Sequence, residues 1–337
     1  MAAALLLSAV ILAGCSRPAL PGFPGSKPTA VSLTSAALKN MQKAKSLHLR
    51  TDSDNDIALT YGALGISMNL GMKIGMDMDM TKDPELAKGS AEVEIEAVGQ
   101  KQSMQGDFYL DPAEGENGMT YIRWSDGMWL KKEAGKKTAA QDQGAGDDGE
   151  TSSGDDGAAS SGESGKFSAP GIPSGLLEGA GILKLIAEQA MDAELLEETV
   201  TVNDQEAWEI HTDLQGALLK EMLQKSGGSL PFDPDSIQWD EVTIPSQIFI
   251  YKESELPARM VLDCTDLGTA AFGEFLSKAV QEFPLGDLST EIAKSTLDLT
   301  FSRYDEVETF EIPQEARQAV LTDNLLPGIT DLLEGLN

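Results

Sequence analysis

Length, composition and charge exclude several classes of function. The chain has 337 residues, and its 25 Lys and Arg against 55 Asp and Glu give a formal net charge of -30 at pH 7. Proteins that bind nucleic acid need a basic surface for the phosphates, so no nucleic-acid partner is expected. Because His48 and His211 are the only histidines, we expect neither a histidine-centred metal site nor a histidine acid–base centre.

The N-terminus is typical of a lipoprotein signal peptide, which we place at residues 1–14. An apolar run too short to cross a bilayer ends in the sequence LAGC, which resembles a bacterial lipobox. We therefore expect Cys15 to be lipidated and to anchor the protein on the extracytoplasmic side of the cell membrane. Residues 15–30, rich in Pro and Gly, are then a flexible tether, and residues 31–337 form a single domain.

After a predicted helix over residues 32–46, the segment 66–80 (ISMNLGMKIGMDMDM) has an apolar side chain at every second position. A period of two predicts a β-strand with one apolar and one polar face. Two interpretations of the apolar face remain open. It could line a cavity for a hydrophobic ligand, since methionine fills irregular space, or it could be ordinary core beneath the protein's own helices. The cavity candidates are Met68, Leu70, Met72, Ile74, Met76 and Met78.

Two hairpins are predicted next. Residues 90–99 (SAEVEIEAVG) alternate small apolar residues with glutamates, so this strand should pair with the methionine-rich strand through residues 81–89. Residues 119–132 should form a tight hairpin with Asp126 and Gly127 in its turn. The acidic, Gly- and Ser-rich segment 133–170 is predicted to be a disordered insertion, without the ligand spacing of a calcium site.

The second half of the chain alternates helices and strands. Helices are predicted at 175–196, 214–226 and 269–283, a hairpin turns at Asn203-Asp204, and a terminal helical stretch closes the chain. The remaining strands lie around 246–254, 258–264 and 295–304.

These elements predict an α+β fold built on one curved antiparallel sheet. Cys264 follows Met260 and Leu262 at alternating positions, which favours a buried thiol over a reactive one.

Several segments resemble a group of bacterial lipoproteins with the fold of LolA, LolB and LppX, and in particular its Gram-positive branch. They are residues 202–214 (VNDQEAWEIHTDL), 248–268 (IFIYKESELPARMVLDCTDLG) and 303–318 (RYDEVETFEIPQEARQ). The resemblance implies a half-barrel with helices packed on its concave face around a hydrophobic cavity. It also implies a ligand with acyl chains.

No motif for catalysis, a metal or a cofactor is recognisable, so an enzyme is not expected. The sequence has no GxSxG, CxxC, HExxH or Walker pattern. Carboxylates spaced at the strand period, such as Asp77 and Asp79, fall opposite the apolar face and indicate solvated surface.

Two functions fit these observations. The first is a membrane-anchored lipoprotein that binds or transfers a lipid or another hydrophobic ligand in a methionine-rich cavity. The alternative is a non-enzymatic structural or interaction lipoprotein with a closed core, which acts through its acidic surface or an envelope protein partner.

Overall fold

The computed structural model describes residues 27–61, 66–115, 118–125, 127–133, 184, 187, 192–220, 235, 237–271 and 288–322. The predicted signal peptide, Cys15, most of the tether and residues 134–170 of the predicted insertion lie outside these residues.

Twelve strands form one open, curved sheet in the order β12-β6-β5-β4-β3-β2-β1-β11-β10-β9-β8-β7. Neighbouring strands are antiparallel, except that β12 is parallel to β6. This confirms the predicted curved and largely antiparallel sheet. The strands are β1 Ser46–Tyr61, β2 Ile66–Lys82, β3 Glu85–Ala97, β4 Gln100–Asp111, β5 Met119–Trp124, β6 Leu130–Glu133, β7 Glu194–Val202, β8 Gln205–Gln215, β9 Thr243–Tyr251, β10 Pro257–Asp263, β11 Leu288–Ser302 and β12 Val320–Leu321.

The long central strands separate apolar from charged side chains. We call the sheet face that carries Met76 and Met78 the apolar face, and the face that carries Asp77 and Asp79 the polar face. In the register, Met76 lies opposite Ala91 of β3, so a long side chain meets a small one as predicted. On its other side β2 pairs with β1 along the whole length of both strands.

Helix α1 (Ala30–Lys43) packs against the apolar face. Thr29 caps its N-terminus, where the Thr29 and Ser32 side chains accept each other's backbone N–H in a capping box. Its buried residues Leu33, Ala37 and Met41 belong to the same hydrophobic cluster as Met78. The helix ends at Lys43 rather than at the predicted residue 46, because β1 begins at Ser46.

The other predicted helices are only partly described. Predicted helix 175–196 is wrong for residues 194–196, which belong to β7 and pair with β8, and most of the rest of it lies outside the described residues. Predicted helix 214–226 starts at residue 216, after β8, and is described to residue 220. Predicted helix 269–283 is already helical from residue 265, and its part from residue 272 onward lies outside the described residues. The C-terminal helix α2 covers Gln314–Arg317.

Two predicted turns had different outcomes. Asn203 and Asp204 take positive φ angles of 49° and 61° between β7 and β8, which confirms the predicted turn. The β5–β6 hairpin is confirmed, but its connection runs over 125–129 and is not a tight two-residue turn. In its described part the positive φ, 48°, is at Ser125 and not at Gly127.

Two methionines of β2 should differ strongly in their contribution to stability. Met78 is 2% exposed in the core, whereas Met68 is 37% exposed. In a soluble form that begins at Ser16, we expect Met78→Ala to lower the free energy of unfolding by about 2–5 kcal/mol. Met68→Ala should lower it by only about 0.5 kcal/mol. Urea denaturation followed by circular dichroism measures both, and equal losses would contradict the burial gradient.

Candidate functional site

Burial changes along the methionine-rich strand from one end to the other. Met76 and Met78, at 8% and 2% exposure, are part of the core. Leu70, Met72 and Ile74 are half-buried, and Met68 is 37% exposed. All six predicted residues therefore share one face, but only two of them are core.

The buried end of this stripe is the end that α1 covers. Leu49 of β1 lies opposite Met78 in the register, and Phe301 of β11 lies opposite Leu49. These side chains join Leu33 of α1 in one cluster. Ordinary close packing explains this end of the face without any ligand.

Uncharged polar side chains interrupt the apolar face beside the half-buried part of the stripe. Thr51, Ser53 and Asn55 of β1 lie opposite Met76, Ile74 and Met72. Ser295 of β11 lies opposite Asn55 on the other side. The sequence pattern did not predict this group, because Ser and Asn among aspartates are more typical of a loop than of a strand interior. The alternation of Thr51, Ser53 and Asn55 with three aspartates was the signal that could have found it.

These polar groups form a directed chain of hydrogen bonds. The Ser295 hydroxyl donates to Oδ1 of Asn55 at 2.8 Å, and Nδ2 of Asn55 donates to Oγ of Ser53 at 3.0 Å. The same amide nitrogen lies 3.4 Å from the carbonyl oxygen of Met72. Because that oxygen can only accept, it fixes the orientation of the Asn55 amide. Two residues before Ser53 in β1, the Thr51 hydroxyl is buried and has no hydrogen-bond partner among the described residues.

The polar face carries paired charges. Nδ1 of His48 lies 2.9 Å from Oδ1 of Asp79, and Nε2 lies 3.5 Å from Oδ2 of Asp77. Arg303 donates to Asp79 at 3.2 Å. Arg259 forms a bidentate pair with Asp298, in which Nε donates to Oδ1 and Nη2 donates to Oδ2. Asp77 and Asp79 therefore lie on the face opposite the methionines, as predicted, and Asp79 forms an ion pair with Arg303.

Two grooves open on this polar face, with volumes of about 570 Å³ and about 480 Å³. His48, Lys88 and Arg123 line the larger groove together with carboxylates, and Arg50 and Glu92 line the smaller one. Because charged side chains line both grooves, neither groove is suited to binding a hydrocarbon. The predicted hydrophobic cavity on the apolar face stays a prediction.

Cys264 is an unpaired thiol at the end of β10. It follows Met260 and Leu262, both of which are buried in the main cluster against which Cys264 packs. Burial, with a smaller contribution from Asp263, raises the pKa of the thiol to about 12. Such a group is protonated at neutral pH, so the structure favours an unreactive thiol, although the side chain is half-buried rather than fully buried.

The described residues contain no group of three or more His, Cys, Asp or Glu side chains that could hold a metal ion. No helix in this part of the chain is long and apolar enough to span a membrane.

Comparisons with known proteins give weak structural similarities only. No protein-family model and no curated protein matches the chain. Among solved structures, it is similar to LprF from Mycobacterium bovis at 12% identity, over 85% of this chain and 97% of that one, with a TM-score of 0.41. It is also similar to a DUF1329 family protein from Desulfovibrio piger at 8% identity, over 83% of this chain and 93% of that one, with a TM-score of 0.20. Neither similarity assigns the chain to a family or carries a function over to it.

The raised pKa of Cys264 leads to a direct chemical prediction. In a form that begins at Ser16, so that Cys264 is the one remaining cysteine, labelling by iodoacetamide at pH 8 should be about a thousandfold slower than for an ordinary exposed thiol, because the thiolate is so scarce. The same thiol should react fully in concentrated guanidinium chloride. Rapid labelling of the folded protein, measured by mass spectrometry, would show that Cys264 is accessible after all.

Proposed function

We propose that this protein is a membrane-anchored extracytoplasmic lipoprotein that binds a lipid or another hydrophobic ligand on the apolar face of its sheet. The observation that carries this proposal is the burial gradient along β2. Apolar side chains continue along the face beyond the part that α1 and the core cover, and they become progressively more exposed towards Met68.

The energetic argument concerns the exposed half of the stripe. Apolar surface left in water costs about 25 cal/mol per Å², and a row of aliphatic and thioether side chains is therefore a favourable surface for a hydrocarbon. The flexible and polarizable methionines of this row, Met68 and Met72, can adjust to acyl chains of different shape. The predicted helices 175–196 and 269–283 would then cover the ligand on this face.

The predicted anchor fits the charge of the domain. With a net charge of -30, the protein is repelled by anionic lipid surfaces, so a lipidated Cys15 would supply the attachment that electrostatics cannot. A tether over residues 15–30 would reach at most about 50 Å when fully extended. The domain would thus stay close enough to the bilayer to collect or deliver a lipid.

A second candidate function is supported by the buried end of the stripe. Met76 and Met78 are ordinary core, and if the predicted helices bury the rest of the face equally well, no ligand space remains. The protein would then act through the charged polar face, which offers two open grooves, or through an envelope protein partner.

Lipid extraction tests the proposal directly. The soluble form that begins at Ser16 is purified without detergent, extracted with organic solvent and examined by mass spectrometry. We expect a lipid or other apolar molecule at close to one equivalent, absent from a mock purification. A protein that yields none, and that also takes up none from added lipid vesicles, would contradict the proposal and leave the closed-core alternative.

Overpacking two positions separates a pocket from a core. Met72→Trp, at a half-buried site, should block binding of a neutral fluorescent dye such as Nile red while changing the free energy of unfolding by less than about 1 kcal/mol. Met78→Trp is the matched control in the buried half of the same strand, and it should cost about 1–3 kcal/mol. Dye titration and urea denaturation measure the two effects. If Met72→Trp is as destabilising as Met78→Trp and leaves dye binding unchanged, the face is closed core.

A further inference from the structure

The hydrogen-bond chain on the apolar face ends at the Ser53 hydroxyl, whose proton is not donated to any described residue. We call Ser53, Asn55 and Ser295 the hydroxyl–amide patch. Within the patch, Ser53 accepts from Asn55, which accepts in turn from Ser295. The hydroxyl proton of Ser53 then finds no acceptor among the described residues. Hydrogen bonds in such a chain polarise one another, so this last hydroxyl is a good donor.

A second unused donor lies on the same face. Thr51 is 1% exposed, and its hydroxyl has no hydrogen-bond partner in the described part of the chain. Residues 51 and 53 are two positions apart in β1, which places their side chains side by side on one face about 7 Å apart. A buried hydroxyl without a partner is costly.

The side chains opposite the patch in neighbouring strands are apolar and uncharged. The half-buried residues Met72, Ile74 and Leu297 lie opposite its members in the register. The charged residues that alternate with the patch along β1, Asp52 and Asp54, lie on the polar face, where they are paired with Arg50 and Lys294. A charged ligand group at the patch would therefore lose its water without gaining a counter-ion.

We propose that the hydroxyl–amide patch binds the ester carbonyl of an uncharged acyl lipid. This inference rests on the proposed function and names its ligand class. The carbonyl oxygen accepts from the Ser53 hydroxyl, whereas Thr51 is too far along β1 to donate to the same oxygen. The acyl chain runs along the half-buried part of the stripe towards Met68, because the opposite direction is blocked by the packed core at Met78. The patch thus selects a neutral ester over a bare hydrocarbon and over a carboxylate.

The test measures the preference for an ester in the full chain carrying Cys15→Ser, produced in the cytoplasm so that the whole sequence is retained. Nile red bound to the protein is displaced by methyl dodecanoate, by tridecane of similar length, and by dodecanoate at pH 8. We expect methyl dodecanoate to bind about threefold to tenfold more tightly than tridecane, the factor that one net hydrogen bond provides. Dodecanoate should bind more weakly than the methyl ester.

Variants assign the preference to the patch. In Ser53→Ala with Asn55→Leu, the ratio of ester to alkane affinity should fall to about one, because the Ser53 donor and the amide that polarises it are gone while the volume is nearly kept. Ser103→Ala is the matched control, since it removes an exposed hydroxyl from the polar face of β4, and it should keep the ratio of the parent protein. If circular dichroism shows that the double variant is unfolded, Ser53→Ala alone is used, and we expect it to lower the ratio about threefold.

The outcomes distinguish the two proposals. Equal affinity for ester and alkane in the parent protein overturns the patch as a carbonyl site but leaves the proposed function intact. The same conclusion follows if the variants keep the ester preference, or if dodecanoate binds as tightly as the ester. Failure of all three compounds to displace the dye, together with the absence of an extractable lipid, overturns the proposed function as well.

Discussion

The pairing of β2 with β1 and β3 is the constraint on which the rest of the structure depends. These strands are 13 to 17 residues long. β2 and β3 alternate apolar and polar side chains, and β1 does so on either side of its polar segment 51–55. A shift of the register by one residue would move every methionine of β2 to the charged face and every aspartate into the core. The observed register therefore fixes both surfaces of the sheet at once, and it determines where a hydrophobic ligand could bind.

The same constraint explains how so acidic a chain can fold on a single sheet. The carboxylates collect on the polar face, where arginines and lysines neutralise many of them at close range. Exposed pairs of this kind contribute little stability individually. Their value is that they relieve repulsion between neighbouring strands, while stability comes from the cluster beneath α1.

Much of the sheet could be predicted from the sequence. The alternation of residues 66–80 and 90–99 was strong enough to predict the strands, their pairing and the identity of the apolar side chains, because a period of two specifies a face directly. The turn at Asn203-Asp204 was equally clear, since these residues adopt positive φ angles at low cost. Ser125 was not predictable in this way, because its positive φ arises from a longer connection and not from a favoured turn residue.

The burial gradient could not be predicted, for a physical reason. Met68 and Met78 have the same side chain and the same alternation around them, and they differ only in what packs on top of them. That cover comes from α1 and from strands distant in sequence, which local patterns do not contain. The hydroxyl–amide patch was missed because Ser and Asn in a polar-looking segment indicate a loop more often than the interior of a strand.

Methyl NMR of methionine would test the central claim most directly. The chain has 13 methionines, and selective ¹³C labelling of their methyl groups gives a separate probe along the whole stripe. On addition of a neutral acyl ester, the account predicts shifts for Met68 and Met72, and no shift for Met128, which is exposed away from this face at 79%. Unchanged Met68 and Met72 signals at saturating ester, or a shift of Met128 alone, would contradict the account.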